Sequence, residues 1–225
     1  FEEGIAFTVS TDEKVAFPFY LRIPSWTQKA EVRVNGKKVS AAPVAGKYLC
    51  INREWANGDR VELTLPMSLS MRTWQVNKNS VSVDYGPLTL SLKIAEKYVE
   101  KDSRETAIGD SKWQKGADPQ KWPTTEIYPD SPWNYSLVLD KKEPLKNFKV
   151  IRKSWPADNY PFTVASVPLE VKAIGRPVPE WKIDETGLCG VLPEEDAVKG
   201  DKEEITLIPM GAARLRISAF PNTKE

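Results

Sequence analysis

Ala30-Glu31-Val32-Arg33-Val34-Asn35-Gly36-Lys37-Lys38-Val39 alternates valine with charge and then breaks on an Asn-Gly pair. A period of two puts the valines on one face of a strand and the charges on the other. Asn-Gly supplies the two positive-φ positions that a type I′ turn requires, so a tight hairpin is predicted here. Outward from it the same grammar repeats. Tyr48 to Arg53 and Arg60 to Leu65 read as a second hairpin joined across Asn57-Gly58-Asp59, and Ile5, Phe7 and Val9 alternate near the start. Eighteen prolines restrict long helices and are confined to turns, edges and strand ends. The expected class is all-β with little helix, built as two antiparallel, jelly-roll-like sandwiches.

Composition shifts at about residue 96. Glu96 to Asp130 is polar and irregular, and strand-like alternation resumes at Tyr135 to Leu139. This reads as a domain boundary or a long insertion on a second sandwich. Phe162 to Val171 is another strand region, Pro177 to Pro193 an extended loop, and Ile205 to Phe220 a strongly strand-like close.

A chain of 225 residues buries roughly 70% of its unfolded surface when compact, enough to fold without staples. Lysine plus arginine (32) nearly cancels aspartate plus glutamate (31), so no net field draws nucleic acid or an anionic membrane. No apolar run approaches the ~20 residues of a bilayer crossing, so no membrane partner is expected. The chain opens at Phe1 directly into strand-like sequence and is expected to be a piece of a longer protein, which leaves the compartment open. Two cysteines make no disulfide framework. Cys50 is expected to be a small buried apolar residue of its strand, and Cys189 to sit in a loop.

The sequence has no histidine, which removes the commonest general base and metal ligand. There is no Cys-x-x-Cys and no phosphate-binding glycine pattern. Glu194-Glu195-Asp196 and Asp201-Lys202-Glu203-Glu204 read as solvated turns, and Asp59 and Asp84 as turn and strand-end residues. Of the eight tryptophans, Trp26 and Trp55 read as packing residues, Trp155 and Trp181 as loop anchors, and Trp74 as facing a neighbouring domain. Trp113, Trp122 and Trp133 lie in the proline-rich irregular stretch and are the candidates for stacking on a sugar ring. The competing reading is that they anchor a long loop.

An ordered set of motifs carries a resemblance. These are Leu21-Arg22-Ile23-Pro24-Ser25-Trp26, Val34-Asn35-Gly36, Tyr48-Leu49-Cys50-Ile51 running into Arg53-Glu54-Trp55, Asn57-Gly58-Asp59 before Val61, Leu63 and Leu65, Asp84-Tyr85-Gly86-Pro87-Leu88, and Leu215-Arg216-Ile217-Ser218-Ala219-Phe220-Pro221. The run resembles the C-terminal, non-barrel portion of glycoside hydrolase family 127 (GH127), the β-L-arabinofuranosidase family. The resemblance implies a catalytic helical barrel preceding these residues, with a cysteine nucleophile at a zinc centre and a glutamate acid/base. No counterpart of that cysteine cluster occurs here, so no catalytic, metal or cofactor-binding residue is assigned to this chain, and the zinc is expected in the barrel. The resemblance also implies that the last strand region completes the first sandwich. The domains would then be residues 1–95 with 202–225, and an inserted sandwich over 96–201. The expected partner is the N-terminal catalytic barrel of the same polypeptide, in a parent acting on L-arabinofuranosides or related plant glycans. The alternative is a carbohydrate-binding module that holds a plant polysaccharide on Trp113, Trp122 and Trp133. One departure falls at Met210, where the family pattern calls for an aromatic, and methionine is expected to fill the same apolar gap.

Overall fold

The computed structural model describes residues 1–102, 118, 120–185, 187–194 and 200–224. It is nearly all strand, as the sequence predicts, with a single 3₁₀ turn at Met210–Ala212 among the described residues. Two compact units divide it: Phe1–Met71 with Val83–Leu88, and Arg72–Ser82 with Thr89–Glu225. Residues 202–225, expected with the first sandwich, therefore fall in the second unit.

The first unit is a small sandwich. β1 (Gly4–Thr8), β6 (Arg60–Thr64), β3 (Glu31–Val34) and β4 (Lys37–Lys38) form one antiparallel sheet in that order, while β2 (Val15–Arg22) and β5 (Tyr48–Trp55) form a second. The β3–β4 hairpin turns on Asn35 and Gly36 at φ +51° and +76°, the positive-φ pair read from the sequence. Val32, Val34, Val61 and Leu63 from one sheet meet Leu21, Leu49 and Trp55 from the other in one core. Trp55 is fully buried, and its indole donates to the Phe17 carbonyl at 2.9 Å, which satisfies its polar atom inside the core.

The expected second hairpin is corrected by the pairing. β5 pairs with β2, and β6 pairs with β1 and β3, so the Ala56–Asp59 turn carries the chain from one sheet to the other. Alternation places Leu49, Trp55, Val61 and Leu63 on the core in either arrangement, so it does not choose the partner. Pro18 is tolerated in mid-strand because, among the described residues, β2 has a neighbour on one side only.

An eight-stranded sheet has the order β16 (Asn222–Lys224), β12 (Tyr135–Leu139), β14 (Leu169–Pro177), β15 (Glu203–Pro209), β9 (Leu88–Leu92), β8 (Ser80–Tyr85) and β7 (Leu69–Trp74), with β13 (Lys149–Arg152) also on β14; most of it belongs to the second unit, while Leu69–Met71, Val83–Tyr85 and Leu88 are counted with the first. β12 has the bounds read from alternation. Its pairing with β16 is parallel, an exception to the antiparallel expectation. β15 lies between β14 and β9.

The polar stretch from residue 96 contains regular structure that the sequence conceals. β10 (Glu96–Lys101) and β11 (Thr124–Pro129) pair antiparallel as a separate ribbon. Conversely, Leu215 to Ala219 alternates like a strand and is not one. Its carbonyls are held singly: Ile217 accepts from the Leu92 N–H at 2.8 Å and from the Ser91 hydroxyl at 3.1 Å, and Ser218 accepts from the Ser82 hydroxyl at 2.6 Å. Buried serines thus take the place of a ladder. Phe220 then makes one isolated bridge to Val81. Met210 is partly exposed rather than filling a core gap, because the 3₁₀ turn buries Ala212 instead.

Candidate functional site

Two surfaces carry chemistry. The first is the outer face of the β2–β5 sheet in the first unit. Strand alternation that buries Leu21 and Leu49 turns Tyr20 and Tyr48 outward, 61% and 68% exposed. Cys50 lies opposite Tyr20 on that face and is exposed, not the buried core residue expected from its apolar neighbours. The stretch Tyr48-Leu49-Cys50-Ile51 is apolar on both phases, so composition could not say which residue faced inward. The Tyr20 phenol is raised above its ordinary value, chiefly by a hydrogen bond with the Cys50 side chain.

The second surface is a cleft of about 300 Å³ in the second unit. Ile127, Tyr128 and Pro129 of β11 form one side of its lining, and Ile183, Leu188 and Cys189 of a loop another; Trp133 and the segment Arg214 to Ile217 complete it. Trp133 packs edge-on against Trp181 at 5.2 Å between ring centres. Trp181 is buried, and its indole donates to the Gly190 carbonyl at 2.9 Å. Asn134 donates to the carbonyls of Val178 and Trp181 at 2.9 and 3.2 Å, so the neighbouring loop is pinned beside the start of β12. Tyr128 donates its hydroxyl to the Glu126 carboxylate. A second, more open pocket lined by Trp181, Gly190, Leu192, Asn77 and Ser218 shares Cys189, Arg216 and Ile217 with the cleft.

The predicted tryptophans separate. Trp133 lines the cleft and is half-buried. Trp122 stands on the turn before β11, 71% exposed, and is not part of the cleft lining. Trp113 lies outside the described residues. Trp55 and Trp26 pack in or against the first core. Trp74 donates to the Ser82 hydroxyl at 2.9 Å with the Arg72 guanidinium over its ring at 5.1 Å, and Trp155 donates to Asn159 at 2.7 Å. Tyr128, Arg214 and Arg216 were not legible as site residues. They come from separate segments that only tertiary structure brings to one cavity.

Asp59 is a turn residue, as expected. It accepts from the Ala56 N–H at 2.9 Å and from Asn35, and faces Arg53 at 3.3 Å. Glu170 is a buried carboxylate on β14 between Lys93 at 2.6 Å and Lys153 at 2.5 Å. Burial pushes its carboxyl up, and the two ammonium groups together bring it below its ordinary value. These fully engaged carboxylates are structural, and neither lines the cleft. Among the described residues no three cysteine, aspartate or glutamate side chains gather as metal ligands, and Cys50 and Cys189 belong to different units, so these residues do not fit a zinc centre.

Fold and surfaces together define an all-β protein with an exposed aromatic sheet face and an apolar cleft lined by two arginines. Residues 1–67, within the first unit, match the family model of the GH127 middle domain of β-L-arabinofuranosidases. Three solved structures share its fold over 99% of its length. They are a protein described as a glycoside hydrolase (21% identity, TM-score 0.56), a GH127 β-L-arabinofuranosidase from Geobacillus stearothermophilus T6 (21%, 0.57) and a GH127 β-arabinofuranosidase (20%, 0.56). The chain spans only 29% to 30% of the length of these proteins. No curated protein sequence matches it.

Proposed function

We propose that this chain is the non-catalytic β-region of a GH127-like glycoside hydrolase acting on L-arabinofuranosides or related plant glycans, and that it supports a helical catalytic barrel in the same polypeptide. The observation that carries this reading is the GH127 middle-domain match over a unit whose outer sheet face leaves Tyr20 and Tyr48 exposed. Uncovered aromatics on one face of a two-stranded sheet fit a protein interface better than open solvent. Zinc and the nucleophile belong, in this reading, to the barrel.

The test is to produce the full polypeptide with and without these 225 residues and to follow thermal stability and hydrolysis of an aryl arabinofuranoside. Loss of stability and turnover on deletion is expected, with a smaller loss in a Tyr20→Ser/Tyr48→Ser variant. A fully stable, fully active barrel made without the chain would overturn the supporting role. Turnover by the purified chain alone would overturn its non-catalytic assignment.

A further inference from the structure

The geometry points to the cleft beside Trp133 as a binding site for a ring that has one apolar face and carries a carboxylate, either an acidic sugar or an aromatic acid.

The argument begins with the lining. Ile94, Ile127, Leu188, Leu215 and Ile217 make the walls apolar, and Tyr128 and Trp133 add flat aromatic surface. Such walls take a flat ring by area and by stacking. Trp133 is held for this by the edge contact with Trp181, which is itself fixed by its bond to Gly190. A side chain locked by neighbours loses little freedom when a ligand arrives.

The charge pattern then selects within that class. Two arginines, Arg214 and Arg216, line the cleft, and among the described residues no carboxylate does. Neither guanidinium has an ion pair among the described residues. Arg216 spends one donor, Nε, on the Ala213 carbonyl at 2.9 Å, and Arg214 spends Nη1 on the Phe162 carbonyl at 3.3 Å. A guanidinium offers five N–H donors, so most of each fork remains for a ligand. The Glu96 carboxylate accepts from the Arg214 backbone N–H at 2.9 Å and leaves both guanidinium forks without an ion pair among the described residues; positive charge beside an apolar wall favours an anion, and a planar fork favours a carboxylate. The volume, about 300 Å³, is at the small end of ligand pockets and suits one or two rings.

The site lies wholly in the second unit, outside the residues matched to the GH127 middle domain, and does not depend on the supporting role proposed above. Of the sugar-stacking set read from sequence it keeps Trp133, while Trp122 takes no part in the lining and the arginines select the ligand.

The experiment is calorimetric titration of the chain with two probes, galacturonic acid oligomers and a hydroxycinnamic acid, each alongside its neutral methyl ester. Binding of either acid with at least tenfold weaker binding of its ester is expected, and the probe that binds identifies the source of the ring. Arg216→Gln, an exposed change, is expected to weaken the acid about tenfold or more while leaving the thermal transition in place, in keeping with a charge-assisted contact. Trp133→Ala is expected to weaken acid and ester alike. Absence of binding for both acids, equal affinity for acid and ester, or acid binding unchanged in Arg216→Gln would each overturn the proposal.

Discussion

Asn35 donates from Nδ2 to Asp59 Oδ1 at 2.6 Å, joining the tip of the β3–β4 hairpin to the turn that crosses between the two sheets of the first unit. Asn35 also accepts from the Arg60 N–H at 2.8 Å through its own Oδ1, so both ends of its amide are engaged. The Asn-Gly pair therefore does more than turn the chain, since it orients the carboxylate that closes the neighbouring turn.

A pH dependence follows. The Ala56 N–H and then the Asn35 amide hold the Asp59 carboxyl below its ordinary value of 3.8, with Arg53 adding to them against the effect of burial. A carboxyl lowered on folding contributes stability that is fully present above the unfolded value and is lost as pH falls through the folded one. Thermal unfolding followed from neutral into acid should therefore show the first unit losing stability below about 3.8. Asp59→Asn should lower the neutral melting temperature and flatten that acid limb. Parallel acid limbs in wild type and variant would count against the assignment.

The two sandwich layers meet on Trp55, and its truncation should show it. Trp55→Ala removes a fully buried ring packed against Phe17 and Phe19 and leaves the Phe17 carbonyl without its donor. A cost of about 3–5 kcal/mol is expected in denaturant unfolding. Trp155→Ala, at a half-exposed tryptophan bonded to the exposed Asn159, should cost under about 1 kcal/mol. Similar costs for the two variants would mean that the first core is not organised around Trp55.

These two residues mark how far the sequence could be read. Local rules were enough for the Asn35-Gly36 turn and for β12, where backbone preference and alternation point the same way. Partner choice was not local. β5 and β6 look like a hairpin because both present apolar residues to one core, and only the pairing with β2 and β1 shows that they lie in opposite layers. Cys50 was misplaced by phase, in a stretch apolar on both faces. β10 was hidden for the opposite reason, since Glu96-Lys97-Tyr98-Val99-Glu100-Lys101 is polar on both faces of a ribbon. In the cleft, Trp133 was legible by residue type and loop position. Tyr128, Arg214 and Arg216 were not, because an arginine in sequence does not show whether a carboxylate will meet it.

Glu170 offers a contrast between buried and exposed ion pairs. Its side chain is 8% exposed and lies between two lysines, whereas the Lys14–Glu54 pair at 3.6 Å is 71% and 61% exposed. Glu170→Ala leaves Lys93 and Lys153 facing each other across a partly buried gap, and about 1–3 kcal/mol should be lost. Glu54→Ala should cost about 0–1 kcal/mol and respond more to added salt. The comparison needs only denaturant midpoints at low and high ionic strength. An equal loss in both variants would show that the lysines rehydrate freely and that burial of Glu170 contributes little.

Gly175 tests packing at the centre of the second unit. It pairs with Leu137 on one side and Glu203 on the other, and a Cβ there would stand 3.0 Å from Ile205 Cδ1, 3.1 Å from Ile205 Cγ2 and 3.3 Å from Tyr135 Cδ1. Tyr135 has little room to yield. It is buried, and its phenol is pushed up to about 12, first by burial and then by a hydrogen bond with Glu203 that holds the ring in place. Gly175→Ala should therefore cost about 1–3 kcal/mol through overpacking, even though alanine suits a strand better than glycine does. Ile205→Val removes Cδ1, the nearest of the clashing atoms. If crowding is the cause, the double variant should be more stable than the sum of the two single losses predicts, by roughly 0.5 kcal/mol or more in a double-mutant cycle. Strict additivity would move the cost of Gly175→Ala from side-chain crowding to the strand backbone.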